Sequence, residues 1–218
     1  RSTEQLYAQF IFRIYYLKHR FNLTNVNICF FSKPTFLVSP SFNKFRGKFF
    51  NSFKFEAGML LRADNFSDVK NTWGVSFTIW SSGLNSIKEF PLTVKGINKN
   101  NMSIANYGEK VFYNSDNNSA SSWARKPIKN IKKIDAPQLS NPINVKQNGD
   151  GKVIEDGLGY MHNNSNNLMQ SDRYVGIYSS AFSDGHGIPI SKENLMRIVA
   201  LFSARKSVPR NWINDKKD

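Results

Sequence analysis

Apolar residues recur with a helical period at the start of the chain: Leu6, Tyr7, Phe10, Ile11, Ile14, Leu17 and Phe21. Ser2 and Gln5 stand in capping-box spacing before this stripe, and Lys18, His19 and Arg20 close it, where positive charge suits the helix dipole. The pattern predicts an amphipathic helix over residues 3–20. After the turn Asn22-Leu23-Thr24-Asn25, the compact apolar run Val26 to Phe31 predicts a strand that Lys33-Pro34 ends. Phe42, Phe45, Phe49 and Phe53 return to helical spacing, which predicts a second helix over 41–52. A strand is expected over Phe53 to Leu61, then a polar loop through Asn65-Phe66-Ser67-Asp68-Val69. The run Thr72 to Trp80 alternates apolar with small or polar residues, a strand signature. Ser81-Ser82-Gly83 turns the chain, and Phe90 to Ile97 is expected to return antiparallel to that strand.

Helices alternating with short apolar strands imply an α/β layer fold. A doubly wound sheet opens with a strand and a glycine-rich turn. This chain starts on a helix at Arg1, so residues 1–97 are expected to be the trailing half of such a sheet, with something upstream removed or lost. From residue 98 the texture changes to polar, turn-rich segments such as Asn114 to Ser122 and Asn141 to Gly151, with short apolar pieces between them. Residues 98–218 are expected to form an irregular α+β extension. The exception is a helix over Ser191 to Ala204, with Ser191 as a cap and Leu195, Ile198, Val199 and Phe202 on one face. No internal repeat is visible.

Charge narrows the class. The formal net charge is +14, from 30 Lys+Arg against 16 Asp+Glu. It is spread along the chain, 13 basic against 5 acidic residues over 1–98 and 17 against 11 over 99–218. Part of the Lys, Asn, Ile and Phe richness matches AT-rich coding, but a folded protein this basic raises a positive potential that finds polyanions. No stretch has the roughly 18 uninterrupted apolar residues of a membrane span, and there is no signal-peptide pattern. Cys29 is the single cysteine, so no intrachain disulfide can form; this fits a reducing, cytoplasmic setting. Inside its apolar run, Cys29 is expected to be a buried small hydrophobe.

Candidate chemistry is sparse. The densest cationic cluster is Arg125, Lys126, Lys129, Lys132 and Lys133, preceded by Trp123 and free of acids. It could neutralise several phosphates, with steep salt dependence, or form a solvated face. Lys44, Arg46, Lys48 and Lys54 interleave with the second helix's Phe series and are expected on its wet side. Asp64 and Asp68 read as loop formers, since no third carboxylate stands near for a divalent ion. Ser183-Asp184-Gly185-His186-Gly187 reads as a turn with an exposed histidine, and three scattered histidines assemble no hydrolase triad. There is no G-x-G-x-x-G, no G-x-x-x-x-G-K-[ST] and no H-E-x-x-H. Asn141-Pro142-Ile143-Asn144 starts like an Asn-Pro-Pro-Tyr motif but lacks the second proline and the aromatic.

The sequence resembles one family. The order of helix, Asn-rich turn, apolar strand with Phe36-Leu37 following, Phe45-Arg46 helix, then Phe66 before the strand Trp73 to Trp80, resembles the adenine-N6 DNA methyltransferases of bacterial restriction-modification systems. Glu4-Gln5-Leu6-Tyr7-Ala8-Gln9-Phe10 looks like the helix that follows the family's Asn-Pro-Pro-Tyr loop. Ser179 to Gly187, Phe202 to Lys206 and Asn211 to Asn214 look like downstream blocks of one subgroup. The resemblance implies methyl transfer from S-adenosylmethionine to adenine flipped out of DNA. It implies that Phe66 stacks on the flipped base, and that the basic residues from Arg125 to Lys133 lie where such enzymes contact DNA. The cofactor turn and the Asn-Pro-Pro-Tyr loop would both lie upstream, in a missing N-terminal part. The fragment is then expected to bind no cofactor and transfer no methyl group alone. Two rival expectations are a non-enzymatic nucleic-acid-binding module and the middle piece of a fused restriction-methylation enzyme.

Overall fold

The opening apolar stripe forms α1 (Leu6–Arg20), which buries Ala8 and Ile11. The Tyr7 ring stacks on Phe42 at 6.1 Å and meets Phe36 edge-on at 6.3 Å. The computed structural model describes residues 5–66, 73–98, 100–114, 120–128, 133–134, 138–140, 144–146, 153–163, 175–179, 187–207 and 212–213. The expected cap Ser2 lies outside them, and Gln5 at the N-cap makes no side-chain capping bond. At the far end of α1, His19 Nε2 and Ser52 Oγ lie 2.9 Å apart and tether the helix to the turn before β2.

β1 (Ile28–Ser32) leads into a broken helical stretch. The single helix expected over 41–52 is instead α2 (Thr35–Val38), a 3-10 turn (Pro40–Phe42) and α3 (Asn43–Phe49). Pro40 explains the break, because a residue before proline is pushed out of the helical region; Ser39 is extended at φ −68°, ψ 133°. Arg46 is the exception among the cations expected on the wet side. It is buried, and its Nη1 donates to the carbonyls of Phe36 (2.9 Å) and Ser39 (2.7 Å) while Nη2 reaches Asn43. It fastens α3 to α2. Lys44, Lys48 and Lys54 are exposed as expected.

β2 (Phe53–Arg62), β3 (Gly74–Ser82), β4 (Glu89–Ile97) and β5 (Ile104–Tyr113) complete a five-stranded mixed sheet in the order β1-β3-β2-β4-β5. β3 is antiparallel to both β1 and β2, so those two run the same way; β4 is parallel to β2 and antiparallel to β5. β4 was expected beside β3 and lies elsewhere. The connection explains this: Gly83 N donates to Ser52 O at 3.1 Å and Asn85 N to Phe50 O at 2.7 Å, which carries the chain past the start of β2 to its far edge.

Alternation along β3 sends Trp80 to the helical side, where it is wholly buried. Phe49, Phe55, Phe50, Phe36 and Phe90 surround it at centroid distances from 4.9 to 6.1 Å. Each such buried ring contributes roughly 2–3 kcal/mol. The opposite face, with Cys29, Phe31, Ala57 and Met59, is half-buried or exposed. Cys29 therefore departs from expectation: Ile28 takes the inward position, and the thiol stands exposed opposite Ile79.

The second unit holds α4 (Ala120–Arg125) and two-stranded ladders pairing β6 (Lys133–Ile134) with β9 (Val153–Ile154) and β7 (Gln138–Ser140) with β8 (Asn144–Lys146). It also holds an antiparallel sheet of β10 (Gly159–Asn163), β11 (Val175–Tyr178) and β12 (Gly187–Ile190) in the order β11-β10-β12, and α5 (Leu195–Ser207). Ala124, Met161, Ile188, Ile190 and Ile198 form its core. The expected helix over 191–204 starts later than read, because Asn194 rather than Ser191 precedes the first turn and accepts a bond from Ser191 N at 2.8 Å. The chain divides between residues 117 and 118 rather than at 97, since β5 pairs along β4 and belongs to the first unit. Among the described residues no helix is long and apolar enough to cross a membrane, and no cluster of His, Cys, Asp and Glu could hold a metal ion.

Candidate nucleic-acid interface

Strand direction sets the first site. β1 and β2 run together, so their carboxyl ends meet the start of β3 at one end of the sheet, with Ser32 opposite Ser76 and Arg62 opposite Gly74. In open α/β sheets that end is where ligands bind. A 3-10 turn (Ala63–Asn65) follows β2. Ala63 N donates to Trp73 O at 2.8 Å and Phe66 N to Ala63 O at 3.1 Å, folding the chain back. Phe66 thereby meets Phe31 edge-on at 5.3 Å, and Phe31 lies 4.7 Å from Phe77, its cross-strand partner. Phe31 is 51 % exposed and Phe66 36 %. Phe66 is thus neither core nor isolated; it is the outer ring of a three-ring platform.

Positive charge adjoins the platform. Lys33, directly after β1, holds its ammonium 4.9 Å from the Trp73 ring centroid. Arg62 is committed elsewhere: its guanidinium grips Asp64 with two parallel bonds, and this contact raises the arginine's pKa. Asp64 is accordingly a loop former, as expected, with its carboxylate occupied by Arg62. Asp68 lies outside the described residues.

Set against protein-family models, curated proteins and solved structures, the chain matches none of them.

The basic cluster of the second unit divides by environment. Arg125 is exposed and tethered: its Nη2 donates to the Gly187 carbonyl, and the desolvation this brings pulls its pKa below the ordinary arginine value against the opposing influence of Tyr160. Lys126, one residue on, is exposed. Lys129 and Lys132 lie outside the described residues, and Lys133 contributes its backbone to β6. Two partners escaped the sequence reading. Phe31 looked like buried strand, and Arg197, distant in sequence, donates from Nη1 to Trp123 O at 2.7 Å and lies 5.1 Å over the Trp123 ring. The helical position of Arg197 alone carried no signal for either contact.

Of the histidines, His162 is buried in β10 with the Tyr178 ring at 6.3 Å. His19 faces Ser52 with the Tyr15 ring at 4.4 Å and no carboxylate in contact among the described residues, and His186 lies outside those residues.

Proposed function

We propose that this chain is part of an adenine-N6 DNA methyltransferase, cytoplasmic, and that its own task is to hold DNA and the flipped base. The observation that carries this reading is the Phe66–Phe31–Phe77 platform at the carboxyl ends of β1 and β2. A nucleobase offers a π-face, and stacking on such rings contributes about 1–3 kcal/mol whatever the base. Lys33 and the excess of 14 positive charges supply the electrostatic attraction to phosphate.

The trailing half of a Rossmann-like sheet is supported by strand direction. β1 and β2 are codirectional and joined through α2 and α3, as in a βαβ crossover, and β4 runs parallel to β2, while β3 stands antiparallel inside the sheet and β5 antiparallel at its edge. α1 and α3 pack together, and among the described residues β1 is an edge strand, where another parallel strand could continue the sheet. In this reading the missing N-terminal part of the same enzyme covers that edge. It would also hold S-adenosylmethionine, because β1 passes into α2 through Lys33-Pro34, which lacks the glycines of a cofactor-cradling turn. The cofactor supplies the methyl group when bound; this chain orients the acceptor.

The second reading is a non-enzymatic nucleic-acid-binding module. It is favoured by β4 and β5, which extend the sheet beyond β2 within this chain. One experiment separates the two. Purified chain is titrated onto duplex DNA carrying 2-aminopurine opposite an abasic site, with labelled S-adenosylmethionine present. The fragment reading expects quenching of the probe that Phe66→Ala removes, without methyl incorporation. Quenching that Phe66→Ala leaves intact removes its support, and methylation by the chain alone overturns its incompleteness.

A further inference from the structure

We infer that the second unit carries its own contact for single-stranded nucleic acid, made by Trp123 and Arg197 with Lys126, separate from the aromatic platform of the first unit. The Trp123 ring is 43 % exposed, unusual for so large an apolar side chain on a short helix. Arg197 lies over that ring and is also held by the Trp123 carbonyl, so its guanidinium is fixed in orientation rather than waving in solvent. No carboxylate forms an ion pair with Arg197 among the described residues. Lys126 follows Trp123 by three positions, with its backbone N bonded to Ser122 O at 2.9 Å, and its side chain is exposed. Lys126 thus follows directly on the turn that carries Trp123, one residue past the end of α4, while Arg197 lies over the ring itself.

That combination suits a strand whose bases are unpaired. A planar exposed indole offers stacking to a base, and the arginine fork and lysine ammonium meet successive phosphates. Duplex DNA buries its base faces and could use only the cations. The site is also anchored: Asn194 Nδ2 donates to Ala124 O at 3.1 Å and Pro189 O at 2.9 Å, fixing α4 against the start of α5.

The test is fluorescence anisotropy of a labelled oligothymidylate of about 20 nucleotides against the full chain, over a salt series, beside a duplex of equal length. Trp123→Phe should keep most of the affinity, whereas Trp123→Leu should lose about five- to thirtyfold on the single strand and little on the duplex. Lys126→Gln makes no demand on folding, because no side-chain bond is removed; it should lower the slope of log affinity against log salt by about 0.7. Arg197→Lys should weaken single-strand binding several-fold at an unchanged melting temperature. Equal loss on single strand and duplex in Trp123→Leu, or an unchanged salt slope in Lys126→Gln, overturns the inference while leaving the Phe66 platform to stand or fall on its own test.

Discussion

Phe31 and Phe66 meet edge-on at 5.3 Å, although one belongs to the first strand and the other to the turn after the second. Each ring limits the other's movement, and an edge-to-face pair is worth about 0.5–1.5 kcal/mol beyond its burial. The platform therefore acts as a unit. Phe66→Ala and Phe31→Ala should each weaken binding of an extrahelical adenine by about five- to 150-fold, and the double variant should lose less than the product. Losses that multiply cleanly in a 2-aminopurine titration would mean the rings act separately.

Thr78 lies at the centre of β3, fully buried on the helical side, and its Oγ1 has no hydrogen-bond partner. Leaving a buried hydroxyl unpaired costs about 1–3 kcal/mol. Thr78→Val keeps the shape and removes the oxygen, so it should stabilise the first unit by about 1 kcal/mol. In a unit spanning Arg1–Asn117 that corresponds to a melting point higher by about 4 °C. A lower melting point in calorimetry would show that the hydroxyl has a role the packing does not reveal.

Much of the first unit was legible in its apolar pattern. α1 and β2 appear within a few residues of their expected bounds, because periods of 3.6 and 2 report local burial directly. The long-range choices were not legible. Nothing in Phe90 to Ile97 announces that β4 joins β2, since that depends on Gly83 and Asn85 bonding back to Ser52 and Phe50. Cys29 misled for a related reason: an apolar run looks the same whether one or both faces of its strand are covered, and Cys29 lies on the uncovered one. At the candidate sites the residue types were visible and their partners were not. Phe66 drew attention by resemblance, while Phe31 and Arg197 became visible only through contacts made across the fold.

Gly187 opens β12 with φ +150°, and a Cβ there would run into the Tyr160 ring and the Met161 carbonyl. Its own carbonyl receives the Arg125 guanidinium. Gly187→Ala should therefore destabilise the second unit by about 2–3 kcal/mol through strain and steric overlap. Because the first unit has its own core, limited proteolysis should degrade the variant's residues 118–218 and spare the earlier ones. Simultaneous loss of both units would indicate a single cooperative fold.

Asn85 joins three segments at the end of the sheet opposite the platform. Its Oδ1 accepts from Phe55 N at 3.1 Å, its Nδ2 donates to Ile87 O at 2.9 Å, and its own backbone N bonds to Phe50 O. Asn85→Ala would strand the buried Phe55 amide and loosen the crossover that delivers β4 to β2. A loss of about 1–3 kcal/mol is expected, read as a lower denaturant midpoint. Asn85→Asp retains the acceptor but not the amide donor to Ile87, so it should recover part of that stability.

Tyr7 gives the first unit an alkaline limit. Burial pushes its phenol up to about 12, against a smaller downward pull from its bond to Thr35. In the unfolded chain the same phenol ionises near 10. Below pH 10 both states keep the proton and Tyr7 adds no pH dependence. Between 10 and 12 the unfolded chain releases the proton while the folded chain holds it, so stability falls as pH rises across that window. Part of the ring remains near solvent, so the loss is on the order of 1–2 kcal/mol. Tyr7→Phe should keep the Phe36 and Phe42 contacts and flatten this part of the curve. The check is urea unfolding of both proteins at pH 9, 10, 11 and 12: the difference between them should grow with pH, and parallel curves would assign the alkaline loss to other groups.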